Sequence, residues 1–408
     1  MTLDFVRLAP RISELVEFLR FDAGDRGERL NQARALLRHL TADQLATALN
    51  QAQNATWLLA EPLEPLTTRR TAPAATAYAA LGTDGSSIDV SRHAPAACYV
   101  INIGQAWFDY TRSEVDLASE ADLQFAGGWL RWGDRQNASK ETVVTGNLLD
   151  AYRTALEMLK LAALAEQHAG DAPIVALLDG QFVLWGLKES ELSSEARELI
   201  FDRGVIYALD RLRRLAAGGR LVLGNYISRP AGREVTNSLR IADCPRPGGA
   251  DCKDCPRCQD GSRPCDEVAG GTDADLFAGF LRQRERSALF GRRSLAADLG
   301  HTDSRYEAGG HRLRFFYLHL PGGEVARVEL PEWVAASEGA VDLLHAAVLD
   351  QCERGGGYPL VLQEAHEQAV IDSAARRSFG LLLDRQMESS GAWQPPSGKS
   401  LSKRRRPI

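Results

Sequence analysis

Three acidic residues in the first half of the sequence have the side chains and the settings that metal-assisted chemistry requires. Asp84 lies in LGTDGSS, Glu157 in the helical pattern YRTALEMLKL, and Asp179 in the apolar strand LLDGQFVLW. A carboxylate inside an apolar strand is costly unless it is paired or holds a cation. Carboxylates from separate elements suit hard divalent cations such as Mg²⁺ and Mn²⁺. The pattern therefore predicts a site for one or two such ions, and two ions about 3.5 to 4 Å apart suit phosphodiester hydrolysis.

Each acid also has an ordinary structural interpretation. Asp84 precedes Gly85, and Asp-Gly is a common hairpin turn. Glu157 is one position from the apolar stripe of its helix, where a glutamate can extend to water. The order of the three along the chain favours a shared site, because a strand-end acid, a helix acid and a strand acid occur in one α/β segment.

A further cluster lies downstream in GGGYPLVLQEAHEQAVI. The glycines and Pro359 predict a loop that enters a helix, with Tyr358 in the loop and His366 in the first turns of the helix. His366 could bind metal, contact phosphate or carry a proton. It could equally be a surface histidine beside Glu364 and Glu367.

Five of the seven cysteines form the pattern C-x7-C-x2-C-x2-C-x6-C, at Cys244, Cys252, Cys255, Cys258 and Cys265. Adjacent C-x2-C steps indicate a metal site, and thiolates select Zn²⁺ or an iron–sulfur cluster such as [4Fe–4S]. Four of the five would be ligands. Cys98 and Cys352 are expected to be ordinary buried thiols.

Two basic regions and one single arginine are candidates for contact with nucleic acid. The first region is a predicted helix over 273–293 with Arg282, Arg284, Arg286, Arg292 and Arg293, and the second is Lys403 to Arg406 in the tail. A solvated helix face and a disordered tail are the alternatives. Arg229, at a predicted strand end in YISRP, is the better candidate for a phosphate contact.

The bulk composition sets limits on the class of protein. The 408 residues carry a net charge of -6, which lacks the basic footprint typical of nucleic-acid binders. No secretory signal and no apolar stretch of membrane-spanning length is found, so we expect a cytoplasmic protein without a membrane partner.

The predicted order of three strands, helix, strand, helix and strand favours an α/β fold with a mixed sheet flanked by helices. The predicted domains are a helical region and linker (1–72), an α/β domain (73–392) with a cysteine-rich insertion (243–268), and a basic disordered tail (393–408).

Taken in order, these segments resemble the NurA family of nucleases, the partners of the HerA translocase. The similarity runs from about residue 77 to 375 and rests on TDGSS, YRTALEMLKL, PIVALLDGQFVLW, NYISRPAGREVTNSLR, VARVELPEW and YPLVLQEAHEQAVI. The cysteine-rich insertion departs from the family pattern.

The resemblance implies a ribonuclease-H-like (Piwi-like) core and a Mn²⁺-dependent deoxyribonuclease, with Mg²⁺ as the other possible ion. It implies 5′–3′ exonuclease and single-strand endonuclease activity on DNA, a homodimer, and action with a HerA-like hexameric translocase in DNA end resection and double-strand break repair. The matching active-site positions are Asp84, Glu157, Asp179, Tyr358 and His366, of which all but Tyr358 would bind metal.

Two other functions compete with a nuclease. One is a non-catalytic protein that binds DNA or a partner and is organised by a cysteine-ligated metal. The other, a carboxylate-based glycosidase, is disfavoured because the seven tryptophans do not cluster around the acids.

Overall fold

The computed structural model describes residues 4–75, 77–89, 96–125, 127–134, 137–170, 172–184, 187, 191–259, 263–294 and 303–391. The chain forms two compact units. Unit 1 comprises Met1–Ala72, Tyr226–Leu299 and Leu313–Glu329, and unit 2 comprises Pro73–Asn225, Gly300–Arg312 and Leu330–Ile408. The predicted basic tail and Trp185 lie outside the described residues.

The described helices, in chain order, are α1 (Phe5–His39), α2 (Ala42–Gln51), α3 (Gly127–Leu130), α4 (Asn147–Gln167), α5 (Ser194–Arg197), α6 (Ile206–Ala217), α7 (Glu234–Ala242), α8 (Pro256–Gln259), α9 (Asp273–Ala278), α10 (Asp303–Ala308), α11 (Glu332–Ala335), α12 (Ala340–Arg354), α13 (Leu360–Ala369) and α14 (Ser373–Ser389). A π-helical segment runs from Glu198 to Val205 and a 3-10 helix from Pro264 to Val268.

The described strands are β1 (Leu58–Pro62), β2 (Arg70–Thr71), β3 (Ala79–Ile88), β4 (Tyr99–Asp109), β5 (Glu114–Gln124), β6 (Arg131–Asp134), β7 (Asn137–Val143), β8 (Ile174–Asp179), β9 (Leu221–Ile227), β10 (Glu285–Arg286), β11 (Phe290–Ser294), β12 (Leu313–His319) and β13 (Val325–Pro331). Within the described residues, no helix is both long and apolar enough to cross a membrane.

Unit 2 is organised around a mixed sheet. Its strands follow the order β9, β8, β3, β4, β5; β4 is antiparallel to both of its neighbours, and β8 is parallel to β3. Helices α4 and α13 pack on β3. Three antiparallel strands followed by a helix and a strand parallel to the first give the ribonuclease-H-like arrangement, which confirms the predicted fold class.

The segment DLQFAGGWLRW, residues 122–132, has the composition of the third strand predicted from the sequence, but it does not form one continuous strand. β5 begins at Glu114 and ends at Gln124, and the later residues form α3 and β6. Its sequence, EVDLASEADLQ, is mostly exposed and carries four acids because β5 lies at the end of the strand order. Charged side chains are common on edge strands, where they discourage pairing with other chains.

Unit 1 combines helices with antiparallel strands around its own apolar core. β11 pairs with β1 and β12, and β10 pairs with β12 and β2. The core includes Leu37 of α1, Leu45 of α2 and Phe277 of α9, all fully buried. Thr41 caps the start of α2 and forms a capping box with Gln44.

The predicted basic helix over 273–293 is wrong. Only α9 is helical, and the chain then continues into β10 and β11. Arg286 is buried and donates to Glu64 at 2.7 Å, while Arg292 lies 3.5 Å from Glu234. Apolar residues between the arginines pack into the core, so the segment follows strand geometry, and two of its charges are neutralised inside unit 1.

Candidate active site

Asp84 and His366 are in direct contact, although 282 positions separate them in the sequence. Asp84 lies inside β3, which continues to Ile88, so Asp84 and Gly85 are not part of a turn. His366 Nδ1 lies 2.6 Å from Asp84 Oδ2, within hydrogen-bond distance. The His366 side chain is 61% exposed and that of Asp84 is 24% exposed. The pair can therefore be reached from solvent.

The position of His366 depends on glycines in the sheet. A Cβ atom added at Gly104 would lie 2.3 Å from the Ala365 carbonyl oxygen, so only glycine allows α13 to approach β4 this closely. Asn102 donates to the Ala369 carbonyl at 2.8 Å and fixes the end of the helix. Because α13 is only ten residues long, His366 lies in its last turn, not in the first turns as predicted.

Glu157 is buried on α4 and faces β3. Its side chain is 11% exposed, and Arg153 Nε lies 3.3 Å from its Oε1 atom. The Thr83 hydroxyl donates to the Glu157 carbonyl at 3.0 Å and ties α4 to β3. Burial raises the pKa of Glu157 to about 8, Arg153 opposes this shift, and the negative charges of Asp84 and Asp179 add to it. Glu157 is therefore not a boundary residue in water.

Asp179 occupies the carboxyl end of β8 and is exposed. Asp179 is the last residue of the strand, and the predicted continuation of the strand beyond it is wrong for the described residues 180–184, because Gly180 adopts a positive φ of 83° and the strand ends there. Tyr358, in the loop before α13, hydrogen-bonds the Asp179 carboxylate. Desolvation by the surrounding protein raises the pKa of Asp179, the Tyr358 hydroxyl opposes this shift, and the charge of Asp84 adds to it. Burial and the negative charge of Asp179 raise the pKa of Tyr358.

The structure thus brings all five predicted site residues into one region of unit 2. They come from β3, α4, β8 and the segment that includes α13. The carboxylates of Asp84, Glu157 and Asp179 are close enough to influence one another electrostatically. Like charges held together in this way are stabilised by a cation or by protons.

The donor chemistry of this region fits a divalent cation. Carboxylate oxygens are the ligands that Mg²⁺ and Mn²⁺ prefer. Apart from the 3.3 Å ion-pair contact with Arg153, the buried Oε1 atom of Glu157 has no hydrogen-bond partner among the described residues. Among all the residues that the structure describes, no three His, Cys, Asp or Glu side chains form a group arranged to hold a metal ion. Each acid contacts a different partner, namely His366 for Asp84, Arg153 for Glu157 and Tyr358 for Asp179. A cation at this site would have to displace some of these contacts.

Arg153 was not predicted as a site residue. It ion-pairs with Glu157, and its side chain is 27% exposed. A Cβ atom added at Gly85 would lie 2.8 Å from Arg153 Cγ, which shows that β3 leaves room for it. The signal in the sequence was the spacing of four between Arg153 and Glu157, since such residues are neighbours on a helix.

The cysteine-rich insertion is part of unit 1. Cys244 and Cys252 pack against the core of that unit, and Cys265 is buried in the 3-10 helix. Burial raises the pKa of Cys252, and negative charge on Cys265 and Cys244 adds to the shift, so these three thiols are near one another. Cys255 is partly exposed, and the side chain of Cys258 lies outside the described residues.

Arg229 also lies in unit 1. It is 89% exposed, with a positive φ of 45°, and its Nε atom lies 3.7 Å from Glu324. Exposure keeps the guanidinium accessible to phosphate, so a DNA contact remains a prediction.

The NurA domain family model matches residues 79–371, an interval that contains all five site residues. A crystal structure of NurA is 12% identical to this chain, with a TM-score of 0.32, and the match covers 79% of this chain and 92% of that one. A crystal structure of NurA bound to dAMP and manganese is also 12% identical, with a TM-score of 0.33, and the match covers 92% of this chain and 96% of that one. No curated protein matches the chain.

Proposed function

The chain belongs to the NurA family, and on this premise we propose that it is a metal-dependent deoxyribonuclease. The observation that carries the proposal is the convergence of Asp84, Glu157 and Asp179 from three elements of one unit, beside His366 and Tyr358. Phosphodiester hydrolysis needs charge neutralisation and positioning more than a strong protein base. A cluster of carboxylates supplies this when it holds cations.

The residues have distinct proposed roles. Asp84 and Asp179 would bind the metal directly, and Glu157 would complete the coordination or orient the attacking water. His366 would bind a second ion or steady the scissile phosphate, and Tyr358 would contact phosphate or base. A bound Mn²⁺ or Mg²⁺ would activate water and stabilise the leaving oxygen. We propose Mn²⁺ as the working ion.

Further properties are proposed from membership of the family. They are 5′–3′ exonuclease and single-strand endonuclease activity, a homodimer, a cytoplasmic location, and action with a HerA-like hexameric translocase in DNA end resection and double-strand break repair. Arg229 would contact the DNA backbone. Replacing Arg229 by alanine should then reduce the slope of log affinity against log salt by about 1. An unchanged slope would remove Arg229 from the DNA contact.

We also propose that the cysteine cluster binds Zn²⁺ or a [4Fe–4S] centre. The support is the sequence spacing, together with the placement of Cys244 and Cys252 against the core of unit 1 and the burial of Cys265 in the same unit. Metal analysis and an absorption spectrum of anaerobically purified protein distinguish the two. A protein with one bound zinc and no visible absorption would favour zinc. A protein that lacks both metals when purified under these conditions would contradict the proposal.

The alternative is a non-catalytic protein that binds DNA or a partner and is organised by the cysteine-ligated metal. Purified protein is incubated with end-labelled single- and double-stranded DNA in Mn²⁺, Mg²⁺ or EDTA. Wild type is compared with Asp84→Ala and Asp179→Ala, and with Asp116→Ala as a control, because Asp116 is an exposed carboxylate on β5 outside the site. Metal-dependent cleavage that is lost only in the two site variants supports the nuclease. DNA binding without cleavage in every condition, with and without a HerA-like translocase, would favour the alternative.

A further inference from the structure

Helix α1 consists of two parts with different surroundings. The second part packs in unit 1, where Ala33 and Leu37 are fully buried and Arg34 donates to the Leu276 carbonyl at 3.1 Å. In the first part, every residue from Asp4 to Phe21 is exposed. About half of this 35-residue helix therefore lacks packing within the described protein.

The exposed part carries an apolar stripe, defined here as Phe5, Leu8, Ile12, Leu15, Val16 and Leu19. Five of these residues follow the spacing 3, 4, 3, 4, which places them on one face of a helix and matches the seam of a coiled coil. Their exposed fractions range from 37% at Leu8 to 71% at Phe5. Contiguous apolar surface of this kind marks an interaction site in a soluble protein.

We propose that the apolar stripe pairs with the same stripe of a second copy of this chain, in antiparallel orientation. Six large apolar side chains that are about half exposed offer roughly 600 Å² per copy. Two copies would then bury about 1,200 Å², the lower limit for a specific interface. A two-fold axis buries the same patch on both copies and leaves no further stripe exposed.

The charges along the exposed part favour the antiparallel orientation. From Asp4 to Ile12 the charged residues are Asp4, Arg7 and Arg11, with a net charge of +1. From Ser13 to Phe21 they are Glu14, Glu17 and Arg20, with a net charge of -1. Antiparallel pairing brings the basic part of one helix next to the acidic part of the other, and it also opposes the two helix dipoles. Leu8 of one copy would then lie beside Leu19 of the other.

This proposal names the surface of the homodimer proposed above, but it does not rest on nuclease chemistry. Sedimentation of the full-length chain without DNA measures the association. Ile12→Glu and Leu15→Glu should each raise the dimer dissociation constant at least about tenfold, because each buries a charge in the seam. Phe21→Glu is the matched control, since Phe21 is 87% exposed and lies outside the stripe, and it should leave the dissociation constant unchanged. Circular dichroism checks that each variant is folded.

Cross-linking tests the orientation. Leu8→Cys and Leu19→Cys proteins, oxidised separately, should remain without a new cross-link, whereas their mixture should form one. Cross-links in each protein alone would indicate parallel pairing and overturn the antiparallel arrangement. The proposal is overturned if the wild-type chain stays monomeric at the highest concentrations, as it would if another protein occupies the stripe. It is also overturned if the dimer dissociation constant does not change in Ile12→Glu and Leu15→Glu.

Discussion

Replacing Glu157 by glutamine should make the metal-free protein more stable at alkaline pH while it removes nuclease activity. The pKa of Glu157 is about 8 in the folded protein and 4.5 in the reference state. The folded protein therefore binds more protons than the unfolded chain between these values, and wild-type stability falls as pH rises through this window. The full difference corresponds to at most about 5 kcal/mol at pH 9.

Glutamine keeps the shape of the side chain and removes its charge. At pH 5 the wild-type carboxyl is already neutral in the folded protein, so the two proteins should differ by less than about 1 kcal/mol. At pH 9 the glutamine variant should be more stable by about 2 to 5 kcal/mol. Loss of the ion pair with Arg153 limits the gain, although Arg153 retains Asp150 at 3.5 Å. The charges that face Glu157 are Arg153 on its own helix, Asp84 on β3 and Asp179 on β8.

Urea unfolding at pH 5, 7 and 9 in EDTA measures the difference between the two proteins. Glu166→Gln is the matched control on the same helix, because hydrogen bonding to Arg211 lowers the pKa of Glu166 and the variant should gain nothing at pH 9. A Glu157→Gln protein that is less stable than wild type at pH 9 would refute the reasoning. It would mean that the ion pair with Arg153 outweighs the cost of burying the carboxylate.

Three further predictions address the scaffold and the site. Gly104→Ala should lower stability by about 1 to 3 kcal/mol and displace α13. Gly133→Ala should leave stability nearly unchanged, because the nearest atom to an added Cβ is 3.7 Å away. Equal urea unfolding midpoints for the two variants would contradict the argument. Tyr358→Phe removes a hydrogen bond that lowers the pKa of Asp179, so more of the Asp179 carboxyl is protonated at low pH and cleavage should fall more at pH 6 than at pH 9. An equal fall in the cleavage rate at every pH would assign Tyr358 another role. Arg327→Met should lower the free energy of unfolding by about 3 to 5 kcal/mol, because Arg327 is 3% exposed and pairs with the buried Glu234 and Glu329. Only a small shift of the urea unfolding midpoint would contradict this prediction.

Elements with a strong local pattern were predictable from the sequence. The helical pattern YRTALEMLKL lies in α4 (Asn147–Gln167), which is predictable because its apolar positions recur at helical spacing without a breaker. The hairpin of β12 and β13 was predictable from the Pro-Gly-Gly turn between two apolar runs, and Leu320 and Glu324 close it with a 2.8 Å backbone hydrogen bond. In each case the determining residues are neighbours in the sequence.

Features that depend on distant residues were not predictable in this way. The segment 273–293 has the charge density of a basic helix, but Arg286 is paired with Glu64, which is 222 positions away. The end of β8 at Asp179 depends on the backbone conformation of Gly180, which the apolar run after it concealed. The order of the three acids along the chain indicated a shared site, but adding Tyr358 and His366 to it rested on the resemblance, because no periodicity relates a strand acid to a histidine in a late helix.

The contact between Asp84 and His366 also has a consequence for synthesis. The two residues are 282 positions apart, so the carboxylate of β3 leaves the ribosome long before the histidine of α13 is translated. Domains generally fold from the N-terminus onward as they emerge. A nascent chain that has completed β3, α4 and β8 therefore holds three acids but neither Tyr358 nor His366. Nuclease activity should appear only after the last part of the chain has been translated. This delay would protect the cell from a nuclease that is still attached to its ribosome.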